Sequence, residues 1–90
     1  VPQDNGDLKF TFKLYAGLAK YLPEGSHHNA VEAELDEQES ISEIISRFDV
    51  PPEQAHLVLV NGVFCTESDR ATRLLEDGDT LAIWPPVAGG

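Results

Sequence analysis

Residues 8 to 15, Leu8-Lys9-Phe10-Thr11-Phe12-Lys13-Leu14-Tyr15, alternate strictly between apolar and polar or outward positions. Leu8, Phe10, Phe12 and Leu14 share one face; Lys9, Thr11, Lys13 and Tyr15 share the other. A period of two specifies a half-buried β-strand. A strand with one strongly apolar face needs a covering layer as well as a pairing partner.

The rest of the chain supplies both. Val31, Ala33 and Leu35 alternate with Glu32, Glu34 and Asp36, which predicts a second strand paired with the first. Between them Ala16 to Leu22 forms at most a short helical turn, ended by Pro23-Glu24-Gly25-Ser26. Ser40 and Glu43 have capping-box spacing. Ile41, Ile44, Ile45 and Phe48 then fall on one helical stripe, and Pro51-Pro52 is expected to stop the helix. Leu57 to Val60, Asn61-Gly62 and Val63 to Cys65 read as strand, turn and strand, because both turn positions tolerate positive φ. Thr66 to Leu75 reads as polar and irregular, apart from a turn near Leu74 and Leu75. Asp77-Gly78-Asp79 is a further turn before the last strand, Thr80 to Trp84. Pro85-Pro86 cannot donate ladder hydrogen bonds and ends the sheet. The predicted fold is α+β: a mixed sheet of about five strands on one main helix, spanning residues 8–84. Phe10, Phe12, Ile44, Ile45, Leu81 and Ile83 should form the core. Residues 1–7 read as a flexible leader and 85–90 as a flexible tail.

Sixteen acidic residues against six basic ones give a net charge of −10. Nucleic-acid affinity rests on Lys and Arg at phosphates, so a nucleic-acid partner is not expected. The acidity either keeps the domain soluble or steers it to a basic protein. A single cysteine, Cys65, cannot form an intramolecular disulfide, which fits a reducing compartment. No apolar run approaches the ~20 residues of a membrane span, so no membrane partner is expected. Val1 to Asp7 has neither the basic nor the apolar part of a signal peptide. The expected location is cytoplasmic.

The segment with chemical character is Pro85-Pro86-Val87-Ala88-Gly89-Gly90. Its side chains shrink to nothing toward Gly90. Fully extended, Pro86 to Gly90 spans roughly 17 Å, at ~3.4 Å per residue, enough to thread a narrow channel in another protein. Gly89 and Gly90 suit a passage where backbone must approach closely. A terminal Gly-Gly is weak evidence alone, but its place after the last strand of such a domain strengthens it. An α-carboxylate at Gly90 is ionised at neutral pH and is a poor acyl electrophile until a leaving group is attached.

Together, the opening strand through Tyr15-Ala16, Val60-Asn61-Gly62, Leu75-Glu76-Asp77-Gly78-Asp79 and the ending Trp84 to Gly90 resemble the MoaD/ThiS group of ubiquitin-like β-grasp sulfur carriers. The Pro-Pro-Val-Ala run is most similar to the small subunit of molybdopterin synthase. The resemblance covers residues 8–90. It implies that Gly90 is the reacting residue, with Gly89, Ala88 and Val87 giving access. It implies adenylation of Gly90 by an E1-like enzyme that uses ATP, then conversion to a thiocarboxylate with a sulfur donor protein. The tail would then enter the molybdopterin synthase large subunit and give sulfur to a pterin precursor in molybdenum cofactor biosynthesis. On this view the chain is non-catalytic alone and holds no cofactor stably. Sulfur carriers for thiamin thiazole or tRNA thiolation, ubiquitin-like protein modifiers and a plain binding module remain alternatives.

Other residues weigh against further chemistry. Cys65 has no His near it in sequence and reads as a packing residue. His27-His28 lacks the four ligands of a closed zinc site, so no metal is expected. Glu32, Glu34, Asp36, Glu37, Glu39 and Glu43 form either a solvated acidic face or a docking surface. Tyr15 and Trp84 are out of phase with the core positions of their strands, so both should lie on the face away from the helix, with Phe64 joining them. An exposed aromatic patch of this kind reads as a partner interface, and the resemblance implies the same.

Overall fold

The computed structural model describes residues 8–86. The expected leader, residues 1–7, and the tail residues Val87 to Gly90 lie outside the described residues. Among the described residues five strands form one sheet: β1 Leu8–Leu14, β2 Ala30–Leu35, β3 Leu57–Val60, β4 Val63–Phe64 and β5 Thr80–Trp84. The spatial order is β2-β1-β5-β3-β4. β1 runs antiparallel to β2 and parallel to β5, while β3 is antiparallel to β5 and β4. One α-helix, α1 (Ile41–Arg47), covers a single face. This is the mixed sheet on one main helix that the sequence predicts.

The two alternating runs behave as their period requires. Leu8, Phe10, Phe12 and Leu14 are all buried, and Leu35 is buried at the end of β2. From α1, Ile41, Ile44 and Ile45 meet them, and Leu81 and Ile83 close the layer from β5. Phe48 sits just past the helix, its ring 4.6 Å from Phe12 and 6.5 Å from Phe10. Each of the six residues expected in the core is there.

Both ends of α1 have a mechanism. The Ser40 hydroxyl accepts from the Glu43 N–H at 3.2 Å, and the Ser40 N–H donates to the Glu43 carboxylate at 2.8 Å. This is the expected capping box. At the other end Asp49 takes a left-handed conformation, φ +63°. Its N–H donates to Ser46, and the Val50 N–H reaches back to Ile45 at 3.1 Å, a Schellman closure. The helix therefore ends before Pro51-Pro52. The Asp49 turn satisfies the last carbonyls, and the prolines that follow cannot continue the helix.

Thr66 to Leu75 is irregular, as expected, apart from a 3-10 turn at Asp69–Ala71, but it is tied down and Leu75 is fully buried. The Ile41 N–H donates to Arg73 and the Leu75 N–H donates to Glu39, both at 3.0 Å. These bonds pin the loop to the start of α1. They join residues about thirty positions apart, so no local pattern announces them.

At one end of the sheet polar groups lock three loops together. Asn61 and Gly62 take φ +53° and +83°, the hairpin turn that Asn-Gly favours. The Asn61 side chain donates to Asp79 at 2.8 Å and accepts from the Thr80 N–H at 2.9 Å. Asp77 accepts from the Lys9 N–H at 2.8 Å, and Asp79 also accepts from the Glu76 N–H. The β3–β4 turn, the entry to β5 and the start of β1 are thus one polar unit.

Urea unfolding checks this packing. Ile44→Ala should cost about 3 kcal/mol, because it opens a cavity between helix and sheet. Ser40→Ala should cost about 1 kcal/mol through the lost cap. Equal, near-zero losses in both would place α1 off the sheet.

Candidate functional site

The face of the sheet away from α1 divides into two halves. On β1 and β2 it is charged: Lys9 stands opposite Glu34 and Thr11 opposite Glu32 in register. On β5, β3 and β4 it is apolar. Trp84 pairs with Leu57, and Leu59 pairs with both Ala82 and Phe64. Residues paired across a ladder share a face, and so do positions two apart on a strand. Trp84, Leu57, Leu59 and Phe64 therefore form one continuous row.

Tyr15 completes it. Its N–H donates to the Ile83 carbonyl at 3.1 Å, which carries it just past the end of β1 beside β5. Its ring lies flat on Trp84, with centroids 4.3 Å apart and planes 4° apart. Tyr15 and Trp84 are half-buried, while Phe64 is 56% and Leu57 37% exposed. The three expected interface residues, Tyr15, Phe64 and Trp84, thus lie on one face. Leu57 and Leu59 belong with them; the apolar character of both phases of β3 was their signal in the sequence.

The row lies at the root of the tail. Trp84 is the last residue of the central strand β5, and Pro85-Pro86 leads directly out of it. The His56 N–H donates to the Trp84 carbonyl at 3.1 Å and holds that exit point. The polar unit of Asn61, Asp77 and Asp79 lies at the opposite end of the strands. Gly90, Gly89, Ala88 and Val87, the residues expected to react and give access, lie outside the described residues.

A profile described as the ThiS family matches residues 18–90. This chain belongs to the ThiS family. No curated protein sequence matches it. Among solved structures, the Haloferax volcanii HVO 2177 protein superposes with a TM-score of 0.71 at 19% identity, over 98% of this chain and 92% of that one. A protein assigned as subunit 1 of the molybdopterin converting factor in Pyrococcus furiosus gives 0.64 at 20% identity, over 89% and 99%. Small archaeal modifier protein 1 of Methanosarcina acetivorans gives 0.62 at 19%, over 96% and 100%. At these identities the likeness is one of fold: the ubiquitin-like β-grasp that the sequence resemblance implied.

The remaining candidates of this ThiS-family chain have structural employment. Cys65 is buried, and its N–H donates to Val58 at 2.8 Å. Burial first, and Asp69 second, push its thiol up from the usual value. Glu43 serves the capping box, and Glu39 forms an ion pair with Arg47. His27 and His28 shape an exposed turn, their rings 4.0 Å apart. Among the described residues no group of three or more His, Cys, Asp or Glu side chains is placed to hold a metal ion. Nor is any helix among them long and apolar enough to cross a membrane. The sequence reading missed Arg70, which is buried in the loop read as irregular. Its guanidinium donates to the carbonyls of Ala55 at 2.7 Å and His56 at 3.1 Å.

Cys65 should therefore react slowly with a colourimetric thiol reagent in the folded protein and rapidly in urea. Its raised pKa has a further sign. Below the free-thiol value near 8.5 the thiol is neutral in both states. As pH rises past that value the unfolded chain ionises first, so this group's contribution to stability is lost. Rapid native labelling at neutral pH would contradict the packing role.

Proposed function

We propose that this chain is a sulfur carrier whose reacting group is the α-carboxylate of Gly90, donating as the small subunit of a molybdopterin synthase. The observation that carries the proposal is the placement of the tail root: the chain leaves the central strand at Trp84 beside an exposed apolar row, and the sequence beyond it narrows to Gly89-Gly90. Membership of the ThiS family supports it.

The chemistry needs little from the carrier itself. An E1-like enzyme joins the Gly90 carboxylate to the α-phosphorus of ATP and releases pyrophosphate. Sulfur at the sulfide level, from a sulfur donor protein, then displaces AMP and leaves a thiocarboxylate. The Tyr15, Trp84, Leu57 and Phe64 row docks the activating enzyme or the large subunit, and that contact aims the tail. ATP is used by the partner. The likeness to an archaeal modifier protein keeps one other fate in view, attachment of Gly90 to a lysine of a target.

The proposal requires Gly90 to bear the free carboxylate in the cell, which the intact mass of the native protein reports. With an E1-like enzyme, ATP and a sulfur donor, the wild-type chain should gain the mass of one oxygen-for-sulfur exchange. Deletion of Gly90, or Gly89→Phe, should abolish that gain with little loss of stability. Equal modification of the deletion, or sulfur found on Cys65, would overturn the assignment. Sulfur appearing in a pterin precursor, against thiazole or tRNA, decides the acceptor.

Docking gives an independent check. Trp84→Ala or Tyr15→Ala should weaken partner binding by about 2 kcal/mol with the fold retained by circular dichroism. Unchanged affinity in both would remove this face from the interface.

A further inference from the structure

A groove of about 410 Å³ runs between the last turns of α1 and the loop that carries Arg70. Its floor is apolar: Ile45, Val50, Pro51 and Ala55. Its polar margin holds Ser46 and the exposed carboxylates of Asp49 and Glu67. Beyond Ser46 a shallower groove continues past Glu37, Glu39 and Glu43, where Arg47 is already held by Glu39. Arg70, only 8% exposed, also lines the main groove. Two of its nitrogens hold the Ala55 and His56 carbonyls, but its Nε has no hydrogen-bond partner among the described residues.

These features together select one kind of occupant. A small anion would meet Asp49 and Glu67. A free cation would answer the carboxylates but offer nothing to the apolar floor. An extended peptide carrying basic and apolar side chains satisfies both: cations for the carboxylates and aliphatic groups for the floor. The net charge of −10 steers such a segment inward. We propose that the α1 groove is a second docking site, for a basic, apolar-interleaved segment of a partner protein. It lies beside α1, and its Glu67–Arg70 end borders a further pocket that reaches Phe64 at the edge of the aromatic row. It goes beyond the sulfur-carrier proposal and does not depend on it.

The test uses fluorescence anisotropy of the full chain with a labelled peptide of alternating arginine and leucine, and a glutamate–leucine peptide as the control probe. The wild-type chain should bind the basic probe and leave the acidic one free. Asp49→Asn with Glu67→Gln should weaken binding about fivefold, as two lost ion pairs imply. Asparagine also accepts the left-handed conformation at position 49, so the helix end survives. Glu32→Gln with Glu34→Gln removes the same charge from the other face and should change affinity less than about twofold. Ser46→Trp, which fills the groove, should abolish binding, and Trp84→Ala should leave it intact. Equal losses in the two double variants would mean diffuse charge attraction and overturn the site. So would a loss confined to Trp84→Ala, or a wild-type chain that leaves the basic probe free.

Discussion

The pairing of β1 with β5 holds the rest of the fold in place. The two strands lie side by side and parallel at the centre of the sheet. Phe12 stands beside Leu81 and Leu14 beside Ile83, and all four side chains are buried under α1. The other strands build outward from this pair: β2 on β1, β3 on β5, and β4 on β3. Parallel neighbours need a long crossover between them. Here nearly the whole chain is that crossover, and it includes the helix that covers them. The same pairing sets Tyr15 against Trp84, so the core and the aromatic row are two sides of one ladder.

Features with local causes were legible in the sequence. The alternation of β1 follows from side-chain geometry on a single strand. The Ser40–Glu43 box spans three residues, and the Asn61-Gly62 turn spans two. The outward phase of Tyr15 and Trp84 could be read from each strand separately, although their stacking could not. What escaped was set by distant partners. Arg70 looks like any other residue of a polar loop; only the fold brings the Ala55 and His56 carbonyls to it. The helix stop was assigned to Pro51-Pro52 because proline is conspicuous, whereas the left-handed turn at Asp49 depends on bonds from Asp49 and Val50 back into the helix. Val87 to Gly90, to which the proposed chemistry is assigned, were legible only as composition and order.

The motifs behind the family resemblance divide along the same axis. Val60-Asn61-Gly62 and Leu75 to Asp79 belong to the polar unit at one end of the sheet, where Asn61, Asp77 and Asp79 bind loops together. Trp84-Pro85-Pro86 lies at the other end, with the aromatic row. One set of motifs marks how the domain is closed, and the other marks the end from which the proposed chemistry would proceed.

The exit of the tail from a central strand has a mechanical consequence. On the sulfur-carrier proposal, a tail inserted into a partner must later be pulled out again. Tension along the tail is delivered along β5, which is bonded on one side to β1 and on the other to β3. Hydrogen bonds between strands run across such a pull. They are sheared together rather than peeled one at a time, as they would be had the tail left from an edge. A carrier of the kind proposed, tugged in that direction, would withdraw with its domain folded.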